Sequence, residues 1–289
     1  MTVTPFLYRC TVTPRYTDID TWRHINNSRL YQIHQEARIR MQIHLFGEDA
    51  WFSDRIRLRP ARSRTQYQRM SWYGSDIDAE VRVLDCDAES VHLRSELFQN
   101  GESVGYQECV MVALAKGKRV PLPAEIRATL EAHCAAAPQP MAATDYPSCL
   151  PQAPAFPLRQ SLTPRYEDLD ADSQRSEAAL GRYIEQARFG SMRGMDLGGA
   201  GIVIASADIT FLDYRAGWTP VELASGIHHI GNRSFSILGC VSQDGTVQAL
   251  AQSVMVLVDR NSGRPVAMPA VLREQLEAWQ ARTPGPASK

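Results

Sequence analysis

Hydrophobic positions fall into two kinds of period along the chain, and each kind occurs twice. Leu30, Ile33, His34, Ala37, Met41 and Leu45 recur at spacings of 3, 1, 3, 4 and 4, which predicts one face of a long α-helix. Leu180, Tyr183, Ile184, Ala187, Ser191 and Met195 repeat that spacing. Each helix is expected to end at glycine, at Gly47 in the first case and at Gly198 with Gly199 in the second. Beyond each helix the period shortens to two. Val91, Leu93, Ser95 and Leu97 alternate with His92, Arg94 and Glu96, an Asn100-Gly101 turn follows, and Val104 to Leu114 returns, the pattern of a β-hairpin. Ser234 to Ser242, Asp244-Gly245 and Thr246 to Val258 repeat it, and Asp78 to Leu84 and Val221 to Ile230 supply further strands.

The repetition extends to residue identity. Thr13-Pro-Arg-Tyr-Thr-Asp-Ile-Asp20 returns as Thr163-Pro-Arg-Tyr-Glu-Asp-Leu-Asp170, and the proline-led segment Pro123 to Ala132 is echoed by Pro269 to Ala278. A duplicated domain follows: residues 6–133 and 158–281 form the two copies, joined by an Ala/Pro-rich linker over 134–157 that cannot continue a helix or a central strand. Each copy is α+β, one long helix wrapped by an antiparallel sheet, because nothing else in the copy is large and apolar enough to cover the helix.

Composition narrows the function classes. The 289 residues contain 44% hydrophobic and 22% charged residues, enough to build cores, and a net charge of -1 provides no field for nucleic acid or an anionic membrane surface. No apolar run approaches membrane-spanning length and the N-terminal residues do not read as a secretory signal, so a cytoplasmic location is expected. The six cysteines contain no C-x-x-C spacing, which favours reduced thiols over a zinc knuckle or disulfide framework. G-x-S-x-G, P-loop and H-E-x-x-H patterns are absent, and Gly198 to Gly201 precede a strand, the wrong context for a dinucleotide fingerprint.

The run Arg15-Tyr-Thr-Asp-Ile-Asp-Thr-Trp-Arg-His-Ile-Asn-Asn-Ser-Arg-Leu-Tyr31, followed by Glu36-Ala-Arg38, resembles the signature of hotdog-fold thioesterases of the 4-hydroxybenzoyl-CoA and plant acyl-ACP types. Asp18, Asp20, His24, Asn26, Asn27 and Tyr31 match its D-x-D-x-x-x-H-x-N-N-x-x-Y pattern. The resemblance implies two tandem hotdog domains forming an intrachain pseudo-dimer, a catalytic carboxylate at Asp20, and acyl-CoA or acyl carrier protein (ACP) as the substrate carrier. Trp22 stands where the plant enzymes carry an asparagine that helps bind the attacking water. In the second copy Asp168 and Asp170 remain, but Gln174 replaces His24 and Ser176-Glu177 replace Asn26-Asn27. One competent and one degenerate site, Asp170 with Gln174, are therefore expected.

The chemistry suits these residue types. Thioester hydrolysis needs a base or nucleophile at the carbonyl carbon and donors for the oxyanion. Asp20 supplies the first, as base or nucleophile, and a helix beginning at Asn26 or Asn27 offers backbone N–H groups for the second. His24 orients substrate or water or moves a proton to the leaving thiolate, with a structural hydrogen bond as the competing reading. Tyr31 and Glu36 are candidate substrate contacts; for Glu36 an ordinary pair with Arg40 competes, and His34 reads as a core histidine. The arginine run that includes Arg55, Arg57 and Arg59 is either a solvated face or a binding surface for CoA phosphates or an acidic ACP. Trp51, Phe52, Trp72 and Tyr73 line the acyl pocket or pack the core. No metal and no resident organic cofactor is expected. Association into a dimer of double hotdogs is expected, as are the absence of nucleic-acid and membrane partners. Competing functions are a non-catalytic acyl-CoA-binding regulatory module and a hotdog hydratase or dehydratase.

Overall fold

A computed structural model describes residues 7–47, 58–115, 117–134, 141 and 156–280. The chain divides into two compact units, residues 1–143 and 144–289.

The first unit runs β1 (Tyr8–Val12), a 3-10 turn (Tyr16–Asp18), α1 (Asn27–Phe46), β2 (Leu58–Tyr67), β3 (Ile77–Cys86), β4 (Ser90–Gln99), β5 (Glu102–Ala115), β6 (Lys118–Val120) and α2 (Ala124–Glu131). Its antiparallel sheet has the order β1-β3-β4-β5-β2, with β6 on the end of β5. The second unit repeats the plan with β7 (Leu158–Leu162), a 3-10 turn (Tyr166–Asp168), α3 (Glu177–Met192), β8 (Gly201–Phe211), β9 (Val221–Ile230), β10 (Ser234–Gln243), β11 (Thr246–Val258) and α4 (Ala270–Ala278). Its sheet has the order β7-β9-β10-β11-β8, again antiparallel. The duplicated α+β plan follows the repeated pattern, and it is the tandem hotdog architecture that the resemblance implies.

The helices obey their periodicity. Leu30, Ile33, Ala37 and Met41 of α1 are buried against Val81, Leu93, Leu97, Cys109 and Met111 of the sheet. In α3, Leu180, Tyr183, Ile184, Ala187 and Ser191 are buried. Gly47 ends α1 with a φ of 85°. The second helix departs from its expected end: it stops at Met192, with Arg193 extended and Gly194 at a φ of 85°, so Met195 packs on the core from a loop and Gly198 and Gly199 lie beyond. Gly194 offered the earlier left-handed exit, and the chain takes it. Both hairpins close as expected, through Asn100-Gly101 (φ 54° and 78°) and Asp244-Gly245 (φ 50° and 75°), the two positive values a type I′ turn needs.

The arginine run holds the clearest departure. Residues 58–67 form β2, in which Leu58, Ala61, Ser63 and Thr65 are buried and Arg59, Arg62 and Arg64 share the other face, opposite Val112, Val110 and Glu108 of β5. A strand alternates its side chains, so half of a basic stretch can lie against the core if small residues fill those positions. Arg55, Arg57, Trp51 and Phe52 lie outside the described residues. Trp72 and Tyr73 are not core residues: they are 52% and 51% exposed. The described cysteines Cys10, Cys86, Cys109, Cys134 and Cys240 are all free thiols. Among the described residues no helix is long and apolar enough to cross a membrane.

Candidate active site

The conspicuous constellation of the first unit sits where the 3-10 turn hands over to α1. The segment from Asp20 to His24 closes on itself: the Asp20 N–H donates to the His24 carbonyl at 2.9 Å and the Arg23 N–H to the Asp20 carbonyl at 3.0 Å. Arg23 adopts a φ of 68° to make this possible. The Asp20 carboxylate works inside the same turn, Oδ1 accepting the Trp22 N–H at 2.8 Å and Oδ2 facing His24 Nδ1 at 3.2 Å. Carboxylate and imidazole are thus a contact pair, with side chains 24% and 16% exposed.

Holding Nδ1 against a carboxylate fixes the ring so that its other nitrogen is the free one. His24 Nε2 is buried and has no hydrogen-bond partner among the described residues. The ring is in contact with two indoles, Trp22 at 6.1 Å and Trp72 edge-on at 5.9 Å between centroids. Tyr73 continues this aromatic surface to Tyr16, their rings 6.0 Å apart and nearly perpendicular.

Asn26 caps α1. Its Oδ1 accepts from the Ser28 N–H and the Ser28 hydroxyl, both at 2.7 Å, and its carbonyl accepts from the Arg29 and Leu30 N–H groups. Most first-turn donors are therefore spent on Asn26, against the expectation that they await an oxyanion. Asn27 opens the helix, and the Tyr67 hydroxyl at the end of β2 donates to its carbonyl at 3.2 Å. Asp18 is 6% exposed and accepts the Arg15 N–H at 2.7 Å, which makes it a turn residue.

The other candidates disperse within the unit. Tyr31 is buried, its hydroxyl accepting from Ser63 at 3.4 Å. Glu36 pairs with Arg40 at 2.7 Å, and nine residues of helix place it about 14 Å along the axis from Asn27. Arg59 lies eight residues before Tyr67 on β2, about 26 Å along the strand. His34 is a core residue, 2.7 Å from Ser95 Oγ; burial and the neighbouring Arg38 charge push its pKa down to about 3. Sequence reasoning missed Gln99 and Tyr67, which touch this region from strand ends. Both are ordinary polar residues in their own strands, so no local signal marks them.

The second unit builds the same turn without the same chemistry. Asp170 N–H donates to the Gln174 carbonyl at 2.9 Å, Ser173 N–H to the Asp170 carbonyl at 3.0 Å, and Asp170 Oδ1 accepts the Asp172 N–H at 3.0 Å. Beneath it Arg175 is fully buried, reaching the Tyr183 hydroxyl, the Gly217 carbonyl and Gln243. Asp168 accepts from Arg182 at 2.8 Å and from the Tyr183 hydroxyl at 2.7 Å. Burial works to raise the Asp168 carboxyl, but the Arg165 N–H, Tyr183 and Arg182 outweigh it and hold it below the usual carboxylate range. Burial and that same bond push the Tyr183 hydroxyl up.

The sequence profile of the thioesterase-like superfamily matches residues 14–130 and again 165–276, most of the chain. The chain belongs to the thioesterase-like superfamily. Solved structures similar to this hotdog pair include an oleoyl thioesterase, so described provisionally, from Lactobacillus plantarum (TM-score 0.72, 12% identity, 87% of this chain and 96% of that one). The 12:0-ACP thioesterase from Umbellularia californica gives a TM-score of 0.70 at 12% identity over 87% of this chain and 94% of that one. An acyl-ACP thioesterase from Bacteroides thetaiotaomicron gives 0.65 at 13% over 86% and 97%. At these identities the likeness is one of fold. No curated protein matches the sequence.

Proposed function

We propose that this superfamily member hydrolyses acyl thioesters carried on CoA or on an acyl carrier protein, and that Asp20 and His24 of the first unit are the reacting pair. The observation that carries the reading is the 3.2 Å contact between the two side chains at the head of α1. Asp20 remains partly open to solvent. One of its oxygens takes a proton from water as the water oxygen bonds to the thioester carbonyl carbon, or it attacks that carbon itself, giving an acyl–aspartyl anhydride that water then hydrolyses. His24 orients the carboxylate and spreads the charge that develops on the pair. Collapse of the tetrahedral intermediate breaks the C–S bond. A thiol with a pKa of about 8.5 departs readily as thiolate, so little proton assistance is required of the protein.

The arginine face of β2 is proposed to meet the carrier. The pantetheine arm separates a thioester from the carrier's phosphate, which is compatible with Arg59 standing a strand's length from the pair. A change of Arg59→Ala is then expected to raise KM and spare kcat.

A second reading has one observation in its favour. Asp170 performs the turn-building work of Asp20 where no imidazole is present, so a carboxylate here is compatible with pure architecture. On that reading the protein is an acyl-CoA-binding module, and Asp20→Asn would leave its function intact. Thiol release from a panel of short, medium, long and aromatic acyl groups, each presented on CoA and on acyl carrier protein, decides between them. Hydrolysis lost in Asp20→Asn with binding retained supports the enzyme, and saturable binding of the panel with no thiol release overturns it. We further propose that the chain self-associates, an expectation that a 32.3 kDa particle in light scattering would contradict.

A further inference from the structure

We infer that Gln99 is a positioning residue for the reacting pair, acting through Trp72. The inference rests on reading Asp20 and His24 as that pair. Gln99 is the last residue of β4 and is 7% exposed. Its amide is spent on one short loop: Oε1 accepts the Trp72 N–H at 2.8 Å, while Nε2 donates to the Trp72 carbonyl at 2.8 Å and the Ser75 carbonyl at 3.1 Å. A single side chain thereby holds both the donor and the acceptor of Trp72, which fixes its backbone and aims its ring.

The loop is also tied down at the buried Ser71, but the three residues around it stand out from the core. Met70, Trp72 and Tyr73 are 38%, 52% and 51% exposed, so their own packing does not hold them down. The grip comes from beneath, from a buried amide whose desolvation is offset only while all its bonds are made. Through the loop the grip reaches the motif. The Ser71 carbonyl accepts the Ile25 N–H at 2.8 Å, Trp72 and His24 form an isolated antiparallel bridge, and the Trp72 ring stands edge-on to the imidazole. Gln99, Trp72, His24 and Asp20 are thus a continuous series of contacts running from the sheet to the carboxylate.

The second unit shows the same position put to another use. Gln243 also ends its strand, directly before Asp244-Gly245. Its Nε2 donates to the Thr219 carbonyl at 2.6 Å, but its Oε1 faces Arg175 at 3.4 Å. The amide there divides its work between a loop and a buried guanidinium, and Gln174 offers no imidazole to be placed.

The test compares Gln99→Leu, Trp72→Leu and Gln243→Leu with the parent protein, reading kcat and KM for thiol release and the NMR signal of the His24 ring. Gln99→Leu is expected to lower kcat about 10-fold while KM stays within about two-fold, the signature of a misplaced reacting group. The His24 ring signal should shift as the Trp72 ring current is withdrawn. Trp72→Leu keeps every Gln99 bond to the backbone and should reproduce the loss of kcat, so the inference stays testable if Gln99→Leu folds poorly. Gln243→Leu should retain both kcat and the His24 signal. Normal turnover in Trp72→Leu, or a Gln99→Leu protein with an unmoved His24 signal and parental kcat, overturns the inference. Normal turnover in Asp20→Asn and His24→Gln would instead bring down the reading on which it rests.

Discussion

The two motif turns can be superimposed in words: an aspartate whose N–H meets a carbonyl four residues on, whose own carbonyl is met three residues on, and whose carboxylate caps the N–H two residues on. Arg23 and Ser173 even share the left-handed conformation, at φ 68° and 56°. What differs is what the turn presents. The first carries His24 against two indoles above Ile25; the second carries Gln174 above the buried Arg175, whose partners are Tyr183, Gln243 and the Gly217 carbonyl. The carboxylate is therefore a building element in both copies, and only in the first does the turn also place an imidazole beside it. One scaffold has been furnished with a carboxylate–imidazole contact in one copy and with a buried ionic network in the other.

The change that presses hardest on this comparison is His24→Gln, which gives the first turn the second turn's residue. Thiol release should fall by about 100-fold or more, the effect of removing one member of a reacting acid–base pair, while Asp20 keeps its bond to the Trp22 N–H and the turn persists. The reverse change, Gln174→His, should create no activity, because Arg175 stays beneath the turn and no Trp72 counterpart aims the ring. Hydrolysis that survives His24→Gln would mean that the carboxylate alone suffices and that the furnishing is incidental.

Next in size is Asp168→Asn. In the second unit this carboxylate is 3% exposed and joins Arg165, Arg182 and Tyr183. Removing one member of such a buried cluster should cost about 3 kcal/mol in denaturant unfolding of that unit. Asp18→Asn in the first unit should cost much less, since Arg29 is 4.0 Å away and the Arg15 side chain is 72% exposed. The sign with pH follows from the lowered pKa of Asp168. Its contribution is present above the ordinary value of 3.8 and is lost as the pH falls through its folded value, so the penalty of Asp168→Asn should shrink in strong acid. An equal penalty for the two aspartates would erase the contrast between the networks.

Much of this contrast was legible in the chain, and the rest was hidden for identifiable reasons. The repeats at Thr13 and Thr163, both long helices and both hairpins follow from periodicity and turn residues, because local pattern and final structure agree there. The strand β2 was obscured because its inward positions are Ser63 and Thr65 and its outward ones Arg62 and Arg64, so apolarity never alternates. The end of α3 was misplaced by four residues or more because Gly194 competes with Gly198 as an exit. At the candidate site, Asp20 and His24 stand in one short motif and could be paired by eye. Trp72 and Gln99 reach the same place from a loop and a strand end, a proximity that only the fold creates.

A milder contrast concerns acid. At the position of His34 on α1, α3 carries Ile184, so the first unit alone buries a neutral histidine there. Burial together with Arg38 puts its folded pKa at about 3 against an unfolded 6.5. The unfolded chain therefore binds a proton that the folded one refuses. The first unit should lose up to about 1.4 kcal/mol of stability per pH unit from this group as the pH falls below 6.5 towards 3. Asp168 begins to act only below 3.8, so hydrogen exchange at pH 5 should show the first unit loosened and the second intact. His34→Gln should flatten that slope. Equal loosening of both units at pH 5 would assign the acid response to something other than this histidine.

The smallest expected difference lies in the two helix caps. Asn26 and Ser176 each accept a first-turn N–H, from Ser28 and Ala179 respectively, and loss of either side chain to alanine should cost about 1 kcal/mol. Asn26 also accepts the Ser28 hydroxyl at 2.7 Å, whereas Ala178 occupies the matching position in α3 and offers no such donor. Asn26→Ala should therefore cost a few tenths of a kcal/mol more than Ser176→Ala, and that excess should vanish in a Ser28→Ala background if the hydroxyl is its source. Denaturant unfolding of the four variants as a double-mutant cycle measures the excess directly. An excess that persists without the hydroxyl would show that the Asn26 amide is held by, and holds, more of the first turn than its cap.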